Sequence, residues 1–344
     1  MTRSHFIFAF LFLMAGAVSL TSCSSDSDGN SDNGTLEVPA YKGVSAIYQV
    51  TESSSQYSSV EFTESGNYII VKNSSNAPAM RSKAAINSIF SSPWSSSVTR
   101  STSYGNIITG KYTVNGNVFN LEGFGTITVV TSGGTAVSLE ITENGGSSYT
   151  LTAAKNTQEA GSEKTTKLCR SWKIASLGLK ASMKVEDPTG KMQSYDYNKT
   201  INGGNMPELM FDFYSDMTKW AVKISNQLGE NVSQEELDRA LQKQKAQIQS
   251  QYKTVETCLF SQAGTYMVTY GDGSLAIATW AWKNSSQDVL QYSWNYANMN
   301  SNVSGSCDIS FKGSKCIMEE TSSFSDGTIQ GMNTLMTYTL EEIK

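Results

Sequence analysis

From Val44 onward, apolar and polar residues alternate in short runs, and each run ends at glycine, serine or asparagine. A period of two gives every extended segment one face for a core and one for water. That is the signature of antiparallel β-structure. Strands are predicted at 44–51, 57–63, 67–72, 106–114, 117–122, 125–131, 135–141 and 148–153. A second set is predicted at 171–184, 208–224, 255–261, 264–270, 275–283, 288–296, 306–312, 315–321 and 333–342. Asn115-Gly116, between Tyr112-Thr113-Val114 and Val118-Phe119, is the strongest short hairpin signal. Ser132-Gly133-Gly134 and Asn144-Gly145-Gly146 mark the next two turns. A two-residue turn at Gly313-Ser314 would set Lys312 opposite Lys315 and Cys316 opposite Phe311.

Helical signals are few. Ser233-Gln234-Glu235-Glu236 reads as a capping box, followed by Leu237, Leu241, Ile248 and Tyr252 on one narrow stripe, so a helix is expected near 233–253. A second helix is expected from Pro78 to Phe90. The polar segment 154–167 reads as a linker between a β domain at 39–153, which carries an insert at 73–103, and a second domain at 168–344.

The two domains echo each other. Phe62-Thr63-Glu64-Ser65-Gly66-Asn67-Tyr68 parallels Phe260-Ser261-Gln262-Ala263-Gly264-Thr265-Tyr266. Further on, Lys111-Tyr112-Thr113-Val114 and Val118-Phe119-Asn120-Leu121 parallel Thr279-Trp280-Ala281-Trp282 and Val289-Leu290-Gln291-Tyr292. This pattern resembles the lipocalin-like small barrels of secreted bacterial lipoproteins, and Trp172 fits the tryptophan near the first strand of that group. The resemblance implies an up-and-down barrel of about eight strands, often hollow, without catalytic residues. The expected fold is therefore all-β, with two tandem antiparallel β-barrel or half-barrel domains and one or two inserted helices. Paired β-sandwiches are the alternative.

The N-terminus reads as an address. Phe6 to Val18 is apolar but too short to span a bilayer as a helix. Leu20-Thr21-Ser22-Cys23 follows and resembles the lipobox of bacterial lipoproteins. That resemblance implies a signal peptide at 1–22, lipidation of Cys23 with acyl chains such as palmitate, and a membrane partner reached through the anchor. Residues 23–38 lack the apolar content to order themselves and read as a flexible tether. The serines and aspartates directly after Cys23 resemble the surface-export signal of some Gram-negative lipoproteins, which implies the outer membrane and the cell surface. Asp26, Asp28, Asn30 and Asp32 alternate, but the glycine and glutamate of a calcium loop are not in place.

The chain has a single histidine, His5, inside the segment read as a signal peptide. This excludes Ser-His-Asp and Cys-His nucleophile systems and histidine-ligated metals from the mature protein. Charged residues are 17% of the chain and the net charge is −5, with no basic stripe for phosphates, so no nucleic-acid partner is expected. The phosphate-loop, dinucleotide, Gly-x-Ser-x-Gly and Cys-x-x-Cys patterns are missing, so no cofactor and no metal are expected. Asp212, Asp216, Glu319 and Glu320 are the carboxylates that acid–base chemistry would have to use, and nothing around them resembles a substrate cleft. A non-enzymatic protein is expected. After Cys23, four cysteines remain: 169, 258, 307 and 316. The hairpin register disfavours a 307–316 bridge and leaves open buried thiols or a bridge to Cys169 or Cys258.

One residue set concentrates binding chemistry. Trp280 and Trp282 share a sheet face, and Leu290, Tyr292, Trp294 and Tyr296 share a face of the next strand. Flat rings with a few polar tips suit a small hydrophobic or carbohydrate ligand. The same rings would equally fill a solid core, in which case the protein is a structural or interaction module of the surface.

Overall fold

The computed structural model describes residues 46–73, 107–131, 135–156, 161–293, 304–324 and 329–343. Cys23 and its tether, the Pro78–Phe90 helix, the Ser132-Gly133-Gly134 turn, Trp294 and Tyr296 lie outside the described residues. The first unit runs β1 (Ala46–Val50), β2 (Tyr57–Phe62), β3 (Asn67–Lys72), β4 (Ile107–Asn115), β5 (Val118–Leu121), β6 (Gly125–Thr131), β7 (Ala136–Glu143) and β8 (Ser148–Asn156). Each strand pairs antiparallel with the next, and β1 pairs back onto β8, so the sheet closes into a barrel. Closure leaves no sheet edge to protect. The inward positions hold Tyr48, Phe62, Tyr68, Tyr112, Phe119 and Leu139, all buried. Phe62 stacks on Phe119 at 3.9 Å and meets Tyr112 edge-on at 5.1 Å. The β4–β5 turn falls one residue later than predicted: Asn115 pairs with Val118, and Gly116 takes the left-handed conformation at φ 61° that a two-residue hairpin needs.

The second unit begins with a short helix, α1 (Glu163–Leu168), capped by Ser162, in the segment read as linker. Next come β9 (Ser171–Glu186), β10 (Met192–Asn202), α2 (Met206–Gln227) and α3 (Gln234–Gln251). The chain then returns as β11 (Val255–Phe260), β12 (Thr265–Tyr270), β13 (Leu275–Trp282), β14 (Val289–Ser293), β15 (Ser304–Lys312), β16 (Lys315–Phe324) and β17 (Ile329–Glu342). The long β9 holds the unit together. One edge pairs with β17 from Trp172 to Val185, closing an eight-strand barrel. The other edge pairs with β11 at Ser171–Lys173 and, further along, with β10 at Ser176–Glu186. β10 is thus a ninth strand that leaves the cylinder. The β15–β16 hairpin has the predicted register, with Phe311 opposite Cys316 and Lys312 opposite Lys315.

Two further elements differ from the sequence reading. The strand expected at 208–224 is the helix α2. Its buried residues Leu209, Met210, Phe213, Met217, Ala221 and Ile224 recur at helical spacing, Asn205 caps its first turn and Pro207 sits in that turn. The alternation of Leu209, Phe211 and Phe213 matches both periods, and a short window cannot separate them. β10 was not anticipated, because only Tyr195 and Tyr197 of its residues are buried. The capping box of α3 is present: Ser233 N–H donates to Glu236 Oε2 at 2.9 Å, and Glu236 N–H to Ser233 Oγ at 3.3 Å.

The internal echo extends to individual atoms. In the β2–β3 turn, Asn67 N–H donates to Thr63 Oγ1 at 3.1 Å, and Gly66 N–H to the Thr63 carbonyl at 3.1 Å. In the β11–β12 turn, Thr265 N–H donates to Ser261 Oγ at 3.1 Å, and Gly264 N–H to the Ser261 carbonyl at 3.1 Å. Gly66 and Gly264 both have positive φ, at 75° and 84°. The matching aromatics then donate to the same carbonyls, Tyr112 Oη to Thr63 at 2.9 Å and Trp280 Nε1 to Ser261 at 3.0 Å.

The barrels meet through these same strands. Ile69, Leu259, Met267 and Ile277 form a separate buried cluster, with Val71, Ile107 and Leu275 packed around it. Inside this contact Thr265 Oγ1 donates to Glu61 Oε2 at 2.6 Å, and at its margin Asn67 Nδ2 donates to Ser171 Oγ at 3.3 Å.

Candidate ligand-binding face of the second barrel

Trp280 pairs across the ladder with Tyr292, and Trp282 with Leu290, so the aromatic residues of β13 and β14 share one face as their spacing predicts. The face looks inward. Trp280 is buried, donates its indole N–H to Ser261, and lies edge-on to Phe260 at 6.0 Å. Trp282 is half-buried, perpendicular to Trp280 at 5.5 Å, and donates its indole N–H to Thr165 Oγ1 of α1 at 2.9 Å. The short helix therefore rests against the end of the aromatic face.

Tyr292 is buried, and its hydroxyl donates to Glu320 Oε1 at 2.6 Å; Tyr338 donates to the other oxygen at 2.9 Å. Burial, and then the facing Glu320 carboxylate, push the Tyr292 hydroxyl well above its ordinary value, so it stays protonated and donating. The ring lies across Gly305, its ladder partner on β15: a Cβ there would sit 2.1 Å from Tyr292 Oη and 2.4 Å from Cζ. A glycine in a strand often marks such a close approach. Glu320, Tyr338 and Gly305 all shape the interior, and pattern reading did not connect them to Tyr292. The available signal was Tyr338 alternating with Met336 and Leu340, which puts it on the inward face.

The other sequence candidates are anchored elsewhere. Asp212 and Asp216 lie one turn apart on α2 and grip β10, accepting from Tyr197 Oη at 2.8 Å and Tyr195 Oη at 3.0 Å. Lys199 Nζ is 2.7 Å from Asp212. Partial burial works upward on the Asp212 carboxyl, but hydrogen bonds from Lys199 and Tyr197 bring it below its ordinary value. Glu319 accepts from Thr337 Oγ1 at 3.4 Å. Cys169, Cys258, Cys307 and Cys316 are all buried thiols, and burial raises each of them. Among the described residues no group of three or more His, Cys, Asp or Glu side chains could hold a metal ion. No described helix is long and apolar enough to cross a membrane.

No family model and no curated protein matches this chain. Among solved structures, one similar chain is a protein of unknown function from the DUF3598 family of Nostoc punctiforme. The two are 8% identical, the match covers 88% of this chain and 94% of the other, and the TM-score is 0.16. An overlap of that quality sets no residue of one chain onto a functional residue of the other. The functional reading therefore depends on this chain's own residues.

Those residues divide the aromatic face in two. Trp280 and Tyr292 have their polar atoms committed inside the barrel and act as packing. Trp282 is half-buried, with its indole N–H committed to Thr165 of α1 at the end of the face.

Proposed function

We propose that this protein is a non-enzymatic, lipid-anchored lipoprotein of the cell envelope. Cys23 carries the acyl chains, the tether holds the barrels off the outer membrane at the cell surface, and the second barrel takes a small hydrophobic or carbohydrate ligand at the Trp282 end of its aromatic face. The observation that carries the binding reading is the half-buried indole of Trp282, fixed by Thr165 beside buried Trp280. An indole fixed by its N–H offers a rigid flat platform at low entropic cost. The non-enzymatic reading draws support from the carboxylates: Asp212, Asp216 and Glu320 each accept hydrogen bonds from tyrosines of the fold.

Tryptophan fluorescence titrated with cis-parinaric acid, and separately with cellobiose, tests the site. A saturable change lost in Trp282→Ala is the expected result. A Trp282→Ala protein that binds unchanged and melts lower would make Trp282 part of the core, and no saturable change with either ligand would favour the second reading, a structural or interaction module of the surface. That reading is supported by the inward-turned polar atoms of Trp280 and Tyr292. Palmitate labelling of the full chain against Cys23→Ala tests the anchor, and protease shaving of intact cells tests the surface location.

A further inference from the structure

The ninth strand creates a second feature away from the aromatic face. Where β10 leaves the cylinder, an open groove of 770 Å³ lies along β10, β9, β17 and β16. Its lining residues run consecutively on each strand, and the registers order their outward side chains into two rows. One row is Asp196, Ser182, Asn333 and Ser323. The other is Asn198, Lys180, Leu335 and Thr321. All but Leu335 are exposed, whereas Ala181, Tyr197 and Thr334 between them are buried and turn their side chains to the opposite face, Tyr197 onto Asp212 of α2. The groove is therefore on the outer face, not in the barrel.

The chemistry of the rows selects the ligand. Seven of the eight outward side chains carry polar atoms, and the eighth is a single leucine. Asparagine, serine and threonine both donate and accept, as a sugar hydroxyl does. The two charges, Lys180 and Asp196, cancel, so a polyanion has no preference for this surface. A fatty or planar apolar ligand would find almost nothing to cover. Four strands span about 14 Å at ordinary strand spacing, enough for a short oligosaccharide laid across them. The volume also falls within the common range for ligand sites, about 300–1,000 Å³.

We propose that this groove is a carbohydrate-binding site for an extended neutral glycan laid across β10, β9, β17 and β16. It stands apart from the aromatic face and does not depend on it. Isothermal titration calorimetry of the detergent-solubilised full chain with cellohexaose, maltohexaose, xylohexaose and chitohexaose tests it. At least one should bind, with affinity falling tenfold or more in Asn198→Ala/Asn333→Ala and vanishing in Ser182→Trp, whose indole would fill the groove. Thermal melts of the variants should match the parent, since all three groove positions are exposed. Two results would each overturn the proposal: no binding of any of the four at millimolar concentration, or binding indifferent to both groove variants.

Discussion

Glu61 offers the sharpest test of how the two barrels are joined. It is 1% exposed, on β2, inside the contact between them. One carboxylate oxygen accepts from Thr265 Oγ1 at 2.6 Å. Burial is the largest influence and lifts its pKa to about 7; the Ser261 and Thr265 hydroxyls work downward, and the negative Glu64 adds to the rise. The unfolded chain would titrate this group at about 4.3. Between those values the folded state holds the proton more tightly, so stability falls as pH rises through the window. The cost is absent below the unfolded value and complete above about pH 7. A shift of this size corresponds to about 4 kcal/mol at 1.36 kcal/mol per unit. Glu61→Gln keeps an oxygen for Thr265 and removes the charge. Thermal unfolding followed by circular dichroism at pH 4.5, 6 and 8 should show the variant nearly matching the parent in acid and exceeding it by up to ~4 kcal/mol at pH 8, or roughly 8–16 °C. Taking the difference between the two proteins cancels the titrating groups that do not interact with Glu61. Equal pH slopes in the two, or a Gln variant weaker at pH 8, would refute the reasoning.

Further outcomes follow from single contacts. Gly305→Ala should cost about 1–3 kcal/mol in chemical denaturation, because the new methyl must displace the buried Tyr292 ring; an unchanged midpoint would mean the ring has room. Tyr112→Phe should cost about 1 kcal/mol and no more, since the Thr63 carbonyl it leaves still accepts from Gly66; a much larger loss in the melt would contradict that. Ser233→Ala should destabilise α3 by about 1 kcal/mol, seen as faster amide exchange within 234–251 with little change in the global melt, because α3 buries only Ile248.

Much of the fold could be read from the residues. Strands such as Tyr57–Phe62, Asn67–Lys72 and Leu275–Trp282 show clear alternation or dense apolar runs bounded by turn residues. α2 could not be read in the same way, because Leu209, Phe211 and Phe213 fit a strand until Asn205 is seen to cap a helix and Tyr195 and Tyr197 to receive it. The aromatic face was legible as a face: Trp280 does sit opposite Tyr292. The direction of its polar atoms was not. Their partners, Ser261, Glu320 and Thr165, lie 19, 28 and 117 residues away, and only closure of the barrel brings them near. The groove was hidden for a related reason: four unremarkable polar strand segments become one surface only through registers across β10, β9, β17 and β16.

The contact between the barrels bears on how such a chain could arise. Corresponding positions, Ile69 and Met267, Ile107 and Leu275, contribute to it from both sides. A surface that meets its own counterpart is the geometry of a two-fold homodimer. A single-barrel ancestor using this face would have associated in that way, at a strength set by its concentration. Fusion removes that dependence by making the encounter intramolecular. It also frees the halves from sameness: in a symmetric pair two copies of Glu61 would be buried together. In this chain the matching position is Leu259, and Thr265 meets the remaining carboxylate.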